Sequence, residues 1–137
     1  RYVSWEELEN ISSKIHLESG FDTFASMQGN VGEATYSAYV STRMHPHQEM
    51  VFHGSEGLLR LTAPFNANIF GEARIELHQP NLGLRVEKFP AANHYVQQVE
   101  AFGHSIRTGA AYSWTLEQAR GTQEAIDKIL AVGKKLT

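Results

Sequence analysis

Polar and apolar positions alternate along the first two-thirds of the chain, which is typical of strands whose two faces meet different surroundings. In residues 10–18 the apolar side chains Ile11, Ile15 and Leu17 fall on one side. Six more segments have the length and composition of strands: residues 21–29, 33–41, 48–54, 58–62, 72–77 and 83–89. Glycine and asparagine residues separate several of these segments, as tight turns require. The pattern predicts a largely antiparallel sheet.

Helical periodicity replaces the alternation after Asn93. From there to Gly109 the apolar side chains recur with the spacing of one helix face: Tyr95, Val99, Phe102 and Ile106. Asn93 is a good N-cap, and Gly109 suits the C-terminal end of a helix. The sequence therefore predicts a helix between these two residues.

A second helix is predicted after Thr115, because Thr115 and Gln118 fit a capping box. Its apolar positions are Leu116, Ala119, Ile126, Ile129 and Leu130. Lys134 and Lys135 suit the negative end of the dipole of this helix. The last third of the chain is therefore predicted to be helical.

Strands followed by separate helices indicate an α+β fold, with an open, largely antiparallel β-sheet and helices packed on one face. Residues 1–137 have the length of a single domain. The second face of the sheet stays uncovered in this arrangement. A broad uncovered sheet usually packs against a second domain or a symmetry mate.

Composition narrows the range of partners. The net charge of -3 gives no electrostatic reason to expect nucleic acid or an anionic membrane as a partner. No apolar run approaches the about 20 residues that cross a bilayer. The chain has no cysteine, which excludes disulfides and thiolate chemistry within it and is compatible with a cytoplasmic location.

Three histidines, His45, His47 and His53, lie close together in the sequence. Pro46 interrupts any strand there, because proline lacks a donor for the strand ladder. His45 and His47 then lie at a loop end, and His53 lies about 20 Å farther along a strand. One metal ion cannot bind all three, so we interpret them as surface or pocket residues rather than metal ligands. A histidine-dependent metal enzyme is kept only as an alternative hypothesis.

Catalytic motifs are absent from the sequence. It contains no G-x-S-x-G nucleophile pattern and no G-x-G-x-x-G or Walker pattern after a strand. Two aromatic residues near loop ends remain as candidates. For Phe65, packing at the edge of the core is favoured over contact with a ligand. For Tyr95, core packing and an outward-facing hydroxyl are equally favoured.

The order of several weak patterns resembles the C-terminal domain of the glucose–fructose oxidoreductase/inositol dehydrogenase (Gfo/Idh/MocA) family. These patterns are Gln48, Gly54, Gly57, the segment PFN at 64–66, and an Asn-x-Tyr helix that ends in I-R-x-G. Their order and spacing extend over about 115 residues, and this combination carries the resemblance. In that family an N-terminal Rossmann domain binds NAD or NADP and supplies a catalytic lysine. A D-x-x-x-H pair lies just ahead of the matching region.

This chain contains neither the Rossmann fingerprint nor the family's catalytic lysine and histidine motifs. The resemblance therefore implies a fragment that is not catalytic alone, with no catalytic, cofactor or metal residues of its own. Its parent would be an NAD(P)-dependent dehydrogenase that acts on a sugar or polyol-like small molecule. The implied partners are the missing Rossmann domain and further copies of the chain, packed through the open sheet face.

Five residues are implied as substrate contacts: Tyr95, His45, His47, Phe65 and Asn66. Tyr95 matches a tyrosine that contacts polyol substrates in relatives, and His45 and His47 replace a substrate-facing stretch that often carries tyrosine. His53 is expected to be a sheet residue. The alternative from another functional class is a stand-alone binding or dimerisation module that uses the open sheet face.

Overall fold

The computed structural model describes residue 4 and residues 6–67, 69, 71–90 and 93–136. Two helices and eight strands form in these ranges. Their bounds are β1 (Leu8–Glu18), β2 (Phe21–Val31), β3 (Ala34–Ser41), β4 (Met50–Gly54), β5 (Gly57–Leu61), β6 (Arg74–Gln79), β7 (Gly83–Lys88), α1 (His94–Thr108), α2 (Leu116–Val132) and β8 (Lys134–Leu136). The predicted α+β fold with open, mostly antiparallel sheets is confirmed.

The strands form two four-stranded sheets, and the chain divides into two compact units. The first unit combines Arg1–Met44 with Tyr112–Thr137 and contains sheet A, in the order β3-β2-β1-β8. The second unit spans His45–Ala111 and contains sheet B, in the order β4-β5-β6-β7. Alternation along the sequence predicted the strands, but it carries no information on which strands share a sheet.

Helix α2 packs on β1 of sheet A. Ile15 on that strand is only 2% exposed. The Ser13 hydroxyl on the same face donates a hydrogen bond of 2.7 Å to the carbonyl oxygen of Ile129. This bond gives the buried Ser13 side chain a partner, as burial of a polar group requires. The contact fixes which side of sheet A the helix covers.

The inward face of α2 differs from the predicted one. Leu116, predicted to pack, is 91% exposed, whereas Gly121 is buried. A glycine lets the helix backbone approach the sheet closely, because it carries no side chain between them. Helix periodicity therefore located the helix correctly, but the apolar positions did not define its contact face. The capping box of Thr115 and Gln118 is confirmed.

The end of α2 was predicted incorrectly. Lys134 and Lys135 do not extend the helix; they belong to β8, which pairs in parallel with β1. The chain leaves the helix at Gly133 with extended dihedral angles of φ -65° and ψ 123°. A Cβ at this position would overlap the Ile15 side chain, so glycine lets the chain approach β1 closely. A strand of three residues gives too short a pattern to be recognised from sequence.

The side of sheet A opposite α2 is called here the open face. It is formed by alternate residues of three strands: Ser12, Lys14 and His16 on β1, Phe24, Ser26 and Gln28 on β2, and Ser37, Tyr39 and Ser41 on β3. All of these residues are exposed or half-exposed. The Phe24 and Tyr39 rings stack with centroids 6.3 Å apart. The face combines small hydroxyl side chains with two aromatic rings.

One side of sheet B carries an ion-pair network around a buried carboxylate. Glu76 is 7% exposed, and it pairs with Arg60 at 3.2 Å and with Arg74 at 2.7 Å. Arg60 also pairs with Glu49 at 2.5 Å. Hydrogen bonds to Glu49 and Glu76 raise the pKa of the Arg60 guanidinium. Both arginines are needed to offset the cost of burying the Glu76 charge.

Helix α1 has the predicted caps. The Asn93 side chain accepts hydrogen bonds from the backbone N–H groups of Tyr95 and Val96, and Gly109 adopts the left-handed conformation with φ 73°. The predicted apolar face is not buried, however: all four of its residues are more than half exposed. Hydrophobic periodicity predicts the helix but not whether a neighbour covers it.

Replacing Gly29 by alanine should destabilise the first unit. A Cβ at Gly29 would lie 2.7 Å from the Glu9 carbonyl oxygen and 3.0 Å from a ring carbon of Tyr36. Backbone must therefore shift, and we expect a loss of about 1–3 kcal/mol in the free energy of unfolding. Urea unfolding measures this loss. Gly54→Ala is the control, because its Cβ meets nothing within 4 Å; equal stability of both variants would contradict the prediction.

Candidate substrate-binding site

The Gln48 side chain holds the part of the β5–β6 segment that carries Phe65 and Asn66. The Gln48 Oε1 atom accepts hydrogen bonds from the backbone N–H groups of Phe65 at 3.3 Å and Asn66 at 3.0 Å. Pro64 precedes these residues and prevents the segment from continuing a strand. The carbonyl oxygen of Asn66 in turn accepts a bond from the Ile69 N–H at 3.2 Å. The backbone around Asn66 is thus fixed on both sides.

Asn66 connects this segment to helix α1. Its Oδ1 atom accepts a hydrogen bond of 2.7 Å from the Tyr95 hydroxyl. The Asn93 cap fixes the first turn of α1, since its side chain accepts from the N–H of Tyr95 at 3.1 Å. Tyr95 is therefore held at its backbone and at its hydroxyl. Gln48, Asn66 and Tyr95 form one continuous hydrogen-bonded cluster.

The cluster is accessible to a ligand. Phe65 is 60% exposed and Tyr95 is 53% exposed. Phe65 does not close the core edge, so the packing interpretation of this residue was wrong. Pro64 and the Gln48 hydrogen bonds restrict the backbone that carries this exposed ring. Tyr95 is likewise not a core residue.

The polar atoms of the cluster suit a hydroxyl group. The Tyr95 hydroxyl donates its hydrogen bond to Asn66, so its oxygen can still accept a hydrogen bond from a ligand. The Asn66 amide group has two N–H donors, and the described part of the chain provides no acceptor for them. A hydroxyl both donates and accepts, so it matches an acceptor and a donor placed side by side. The aromatic surfaces of Tyr95 and Phe65 suit the C–H groups of such a ligand.

His94 is a neighbour of the cluster that sequence reasoning missed. Its ring lies 4.1 Å from the Tyr95 ring, centroid to centroid, at an angle of 39°. Its Nε2 atom is buried and has no hydrogen-bond partner among the described residues. The residue carried no separate signal in the sequence beyond its place at the start of the helix. Gln48 was noticed only as part of the family pattern, and its role became visible through its two hydrogen bonds.

His45 and His47 lie in an exposed stretch without regular structure, just before Gln48. Within the described ranges, no hydrogen bond, ion pair or ring contact involves either histidine, so the structure does not join them to Tyr95. His53 lies on β4, as predicted. The described residues contain no group of three side chains placed to hold a metal ion.

A shallow groove elsewhere in the second unit is a weaker candidate. It lies between the turns at 54–57 and 79–83 and is lined by residues that include His53, Leu58, His78 and Leu84. Its lining does not include Gln48, Asn66 or Tyr95. Among the described residues, no hydrogen bond between side chains joins the residues that line it. We therefore place the candidate site at the hydrogen-bonded cluster, where the polar atoms are fixed.

Comparison with known proteins supports the fold but not a family. No family model matches the sequence, and no curated protein matches it. The fold is similar to that of KijD10, a 3-ketoreductase from Actinomadura kijaniata. A mutant of it in complex with TDP-benzene and NADP superimposes with a TM-score of 0.81 at 13% identity over 95% of this chain. Its open conformation gives a TM-score of 0.76 at 13% identity.

This chain corresponds to 42% of the length of KijD10 in both comparisons. The likeness thus covers one part of that NADP-bound reductase. No described helix of this chain is long and apolar enough to cross a membrane. At this level of identity the comparison establishes the fold alone. Any chemistry has to be inferred from the residues of this chain.

Replacing Gln48 by leucine should release the segment around Asn66. Two backbone donors lose their acceptor, and each bond contributes about 0.5–1.5 kcal/mol. We expect the amide protons of Phe65 and Asn66 to exchange with solvent about two to ten times faster, measured by NMR. Gln28→Leu on β2 is the matched control. Unchanged exchange at both amides in the Gln48 variant would show that this side chain does not hold the segment.

Proposed function

We propose that this chain is the substrate-side and oligomerisation part of an NAD(P)-dependent oxidoreductase that acts on a sugar or polyol-like molecule. The observation that carries the proposal is the cluster of Gln48, Asn66 and Tyr95, which presents a fixed acceptor and fixed donors at an accessible aromatic surface. The similarity of the fold to part of an NADP-bound 3-ketoreductase supports it.

Within this proposal Tyr95 and Asn66 bind a substrate hydroxyl, and Phe65 lies against the carbon skeleton. His45 and His47 are polar contacts at the edge of the cleft, supported by their exposure and by their position next to Gln48. The chain orients the substrate and holds it still. Such positioning lowers the entropic part of the barrier, but it does not transfer the hydride.

The residues present do not fit a nicotinamide nucleotide. Each helix N-terminus is capped by its own side chain: Asn93 accepts from two N–H groups of α1 and Thr115 from one of α2, so these groups are not free for a phosphate. The sequence has no glycine-rich turn between a strand and a helix. NAD or NADP would therefore be bound by residues outside this chain, together with the groups that carry the hydroxyl proton.

The open face of sheet A is proposed as the contact with another copy of the chain. It is broad and carries few charges, and two stacked rings lie on it. Aromatic residues are enriched in interface cores, and charged residues are depleted there. A cytoplasmic location is also part of the proposal, in keeping with the absence of cysteine.

The second candidate is a stand-alone binding or dimerisation module. The open face favours it, because a broad uncovered sheet face usually packs against a partner. The encoding reading frame distinguishes the two candidates. A Gly-rich strand–turn–helix segment upstream supports the oxidoreductase, and its absence supports the module.

Removal of the Tyr95 hydroxyl should weaken substrate use in the complete protein. Tyr95→Phe removes the oxygen that accepts from the substrate and frees Asn66 to turn. We expect kcat/KM for the substrate to fall about 10- to 100-fold, which corresponds to one or two hydrogen bonds. Steady-state kinetics measures this effect.

Tyr36→Phe is the control for this experiment, because Tyr36 lies on sheet A in the other unit, away from the open face, and its hydroxyl has no hydrogen-bond partner among the described residues. It should leave kcat/KM unchanged. Wild-type kinetics for Tyr95→Phe would remove Tyr95 from the substrate site.

A charge at the centre of the open face should disturb self-association. Ser26 is flanked by Lys14 and Tyr39 in the register of the three strands. Ser26→Arg places two guanidinium groups close together when two faces meet, so we expect a smaller particle by light scattering. Ser55→Arg, in the turn between β4 and β5, should keep the wild-type mass. An unchanged mass for Ser26→Arg would rule out this face as the contact.

A further inference from the structure

Sheet A ends at β3 on one side, and this edge differs from the other three sheet edges of the chain. Strand β8 has three residues, two of which are lysines. Strand β7 carries Arg85, Glu87 and Lys88 among six residues. Strand β4 has only five residues and ends in glycine. Short strands and charged side chains are the usual means of preventing edge-to-edge pairing.

Strand β3 has none of these protections. Its eight residues, ATYSAYVS, contain no charge, no proline and no glycine. Its register with β2 is unbroken from Ala34 to Ser41, so the strand has no bulge that would turn the edge away. Most of its side chains are exposed. An edge that is long, regular and uncharged is a template for pairing with another strand.

The direction of the free backbone groups follows from one hydrogen bond. The Thr42 N–H donates to the Thr23 carbonyl oxygen at 3.0 Å, in register with the β2–β3 ladder. Because N–H and C=O groups point to alternate sides along a strand, even-numbered residues bond to β2 and odd-numbered residues point outward. The free edge therefore presents the backbone groups of Thr35, Ser37 and Tyr39.

We propose that this edge pairs with β3 of a second copy, antiparallel and centred on Ala38, so that the two copies share one eight-stranded sheet. This register places Ser37 opposite Tyr39 and Thr35 opposite Ser41 of the other copy. No two like charges face each other within the strands. Cross-strand pairs of a hydroxyl and an aromatic side chain are compatible with this geometry.

The flanking charges select a second copy rather than an unrelated strand. Glu33 precedes β3, and Arg43 follows it. Antiparallel pairing about Ala38 brings Glu33 of one copy toward Arg43 of the other, twice by symmetry. Arg43 also bonds to Glu18 within its own chain at 2.8 Å, and this contact lowers the pKa of the Glu18 carboxyl. The charge complementarity between two copies therefore comes from Glu33 and Arg43, which lie at the two ends of β3 itself.

The proposed contact does not depend on substrate binding, and it differs from the open-face contact. Pairing along the edge uses the outward backbone groups of β3 and the charges that flank it, whereas the open face uses side chains of three strands. Both contacts can exist in one assembly, because they point in different directions. Ser37 belongs to both, so its hydroxyl and its backbone N–H are changed in separate variants, whereas Ser26→Arg changes the open face alone.

The test is the molar mass of the complete protein by light scattering. Ser37→Pro removes an outward N–H and leaves the ladder to β2 intact, since Ser37 does not donate to it. We expect its mass to be half that of the wild type at the same concentration. Ser37→Ala keeps the N–H and should keep the wild-type mass. A wild-type monomer, or a wild-type mass for Ser37→Pro, overturns the proposal.

A second variant covers the case in which the proline variant does not fold. This chain has no cysteine, so Ala38→Cys, with any cysteine outside these residues replaced by serine, introduces a single thiol. Residues opposite each other in a non-hydrogen-bonded pair lie about 4.5 Å apart at Cα, within reach of a disulfide. Mild oxidation should give a covalent dimer on a non-reducing gel. Ser55→Cys should stay monomeric on that gel, and equal cross-linking of both variants, or none, overturns the register.

Discussion

The double hydrogen bond to Gln48 is the interaction on which the candidate site depends. One side-chain oxygen holds two consecutive backbone N–H groups, and this fixes the direction of the Asn66 side chain. Asn66 then holds the Tyr95 hydroxyl. Without the first contact the second loses its fixed acceptor, because the described residues between β5 and β6 form no strand or helix that would support it.

Under the proposed function, the arrangement orients a substrate for a reaction whose hydride-transfer groups lie outside this chain. The fixed acceptor and donors then bind a substrate hydroxyl in one orientation, and the cost of ordering these groups is met during folding rather than during binding. In that role the chain determines which substrate carbon faces the nicotinamide, and so contributes selectivity as well as rate.

The sequence predicted the elements better than their contacts. Caps at Asn93 and Thr115 were recognisable, because capping uses local side chains and backbone only. The face of α2 was not, because the close approach at Gly121 depends on a strand distant in sequence. For Phe65 the sequence favoured packing at the core edge over contact with a ligand, whereas its side chain is 60% exposed and its backbone N–H bonds to Gln48. Long-range hydrogen bonds of this type leave no periodic signal.

A structure of the complete protein with its substrate and nucleotide bound tests the proposed role of the cluster of Gln48, Asn66 and Tyr95. We expect a substrate hydroxyl within hydrogen-bond distance of both the Tyr95 oxygen and the Asn66 amide, with the Gln48 bonds to Phe65 and Asn66 retained. A substrate bound elsewhere, with Tyr95 and Asn66 facing only solvent, would contradict it.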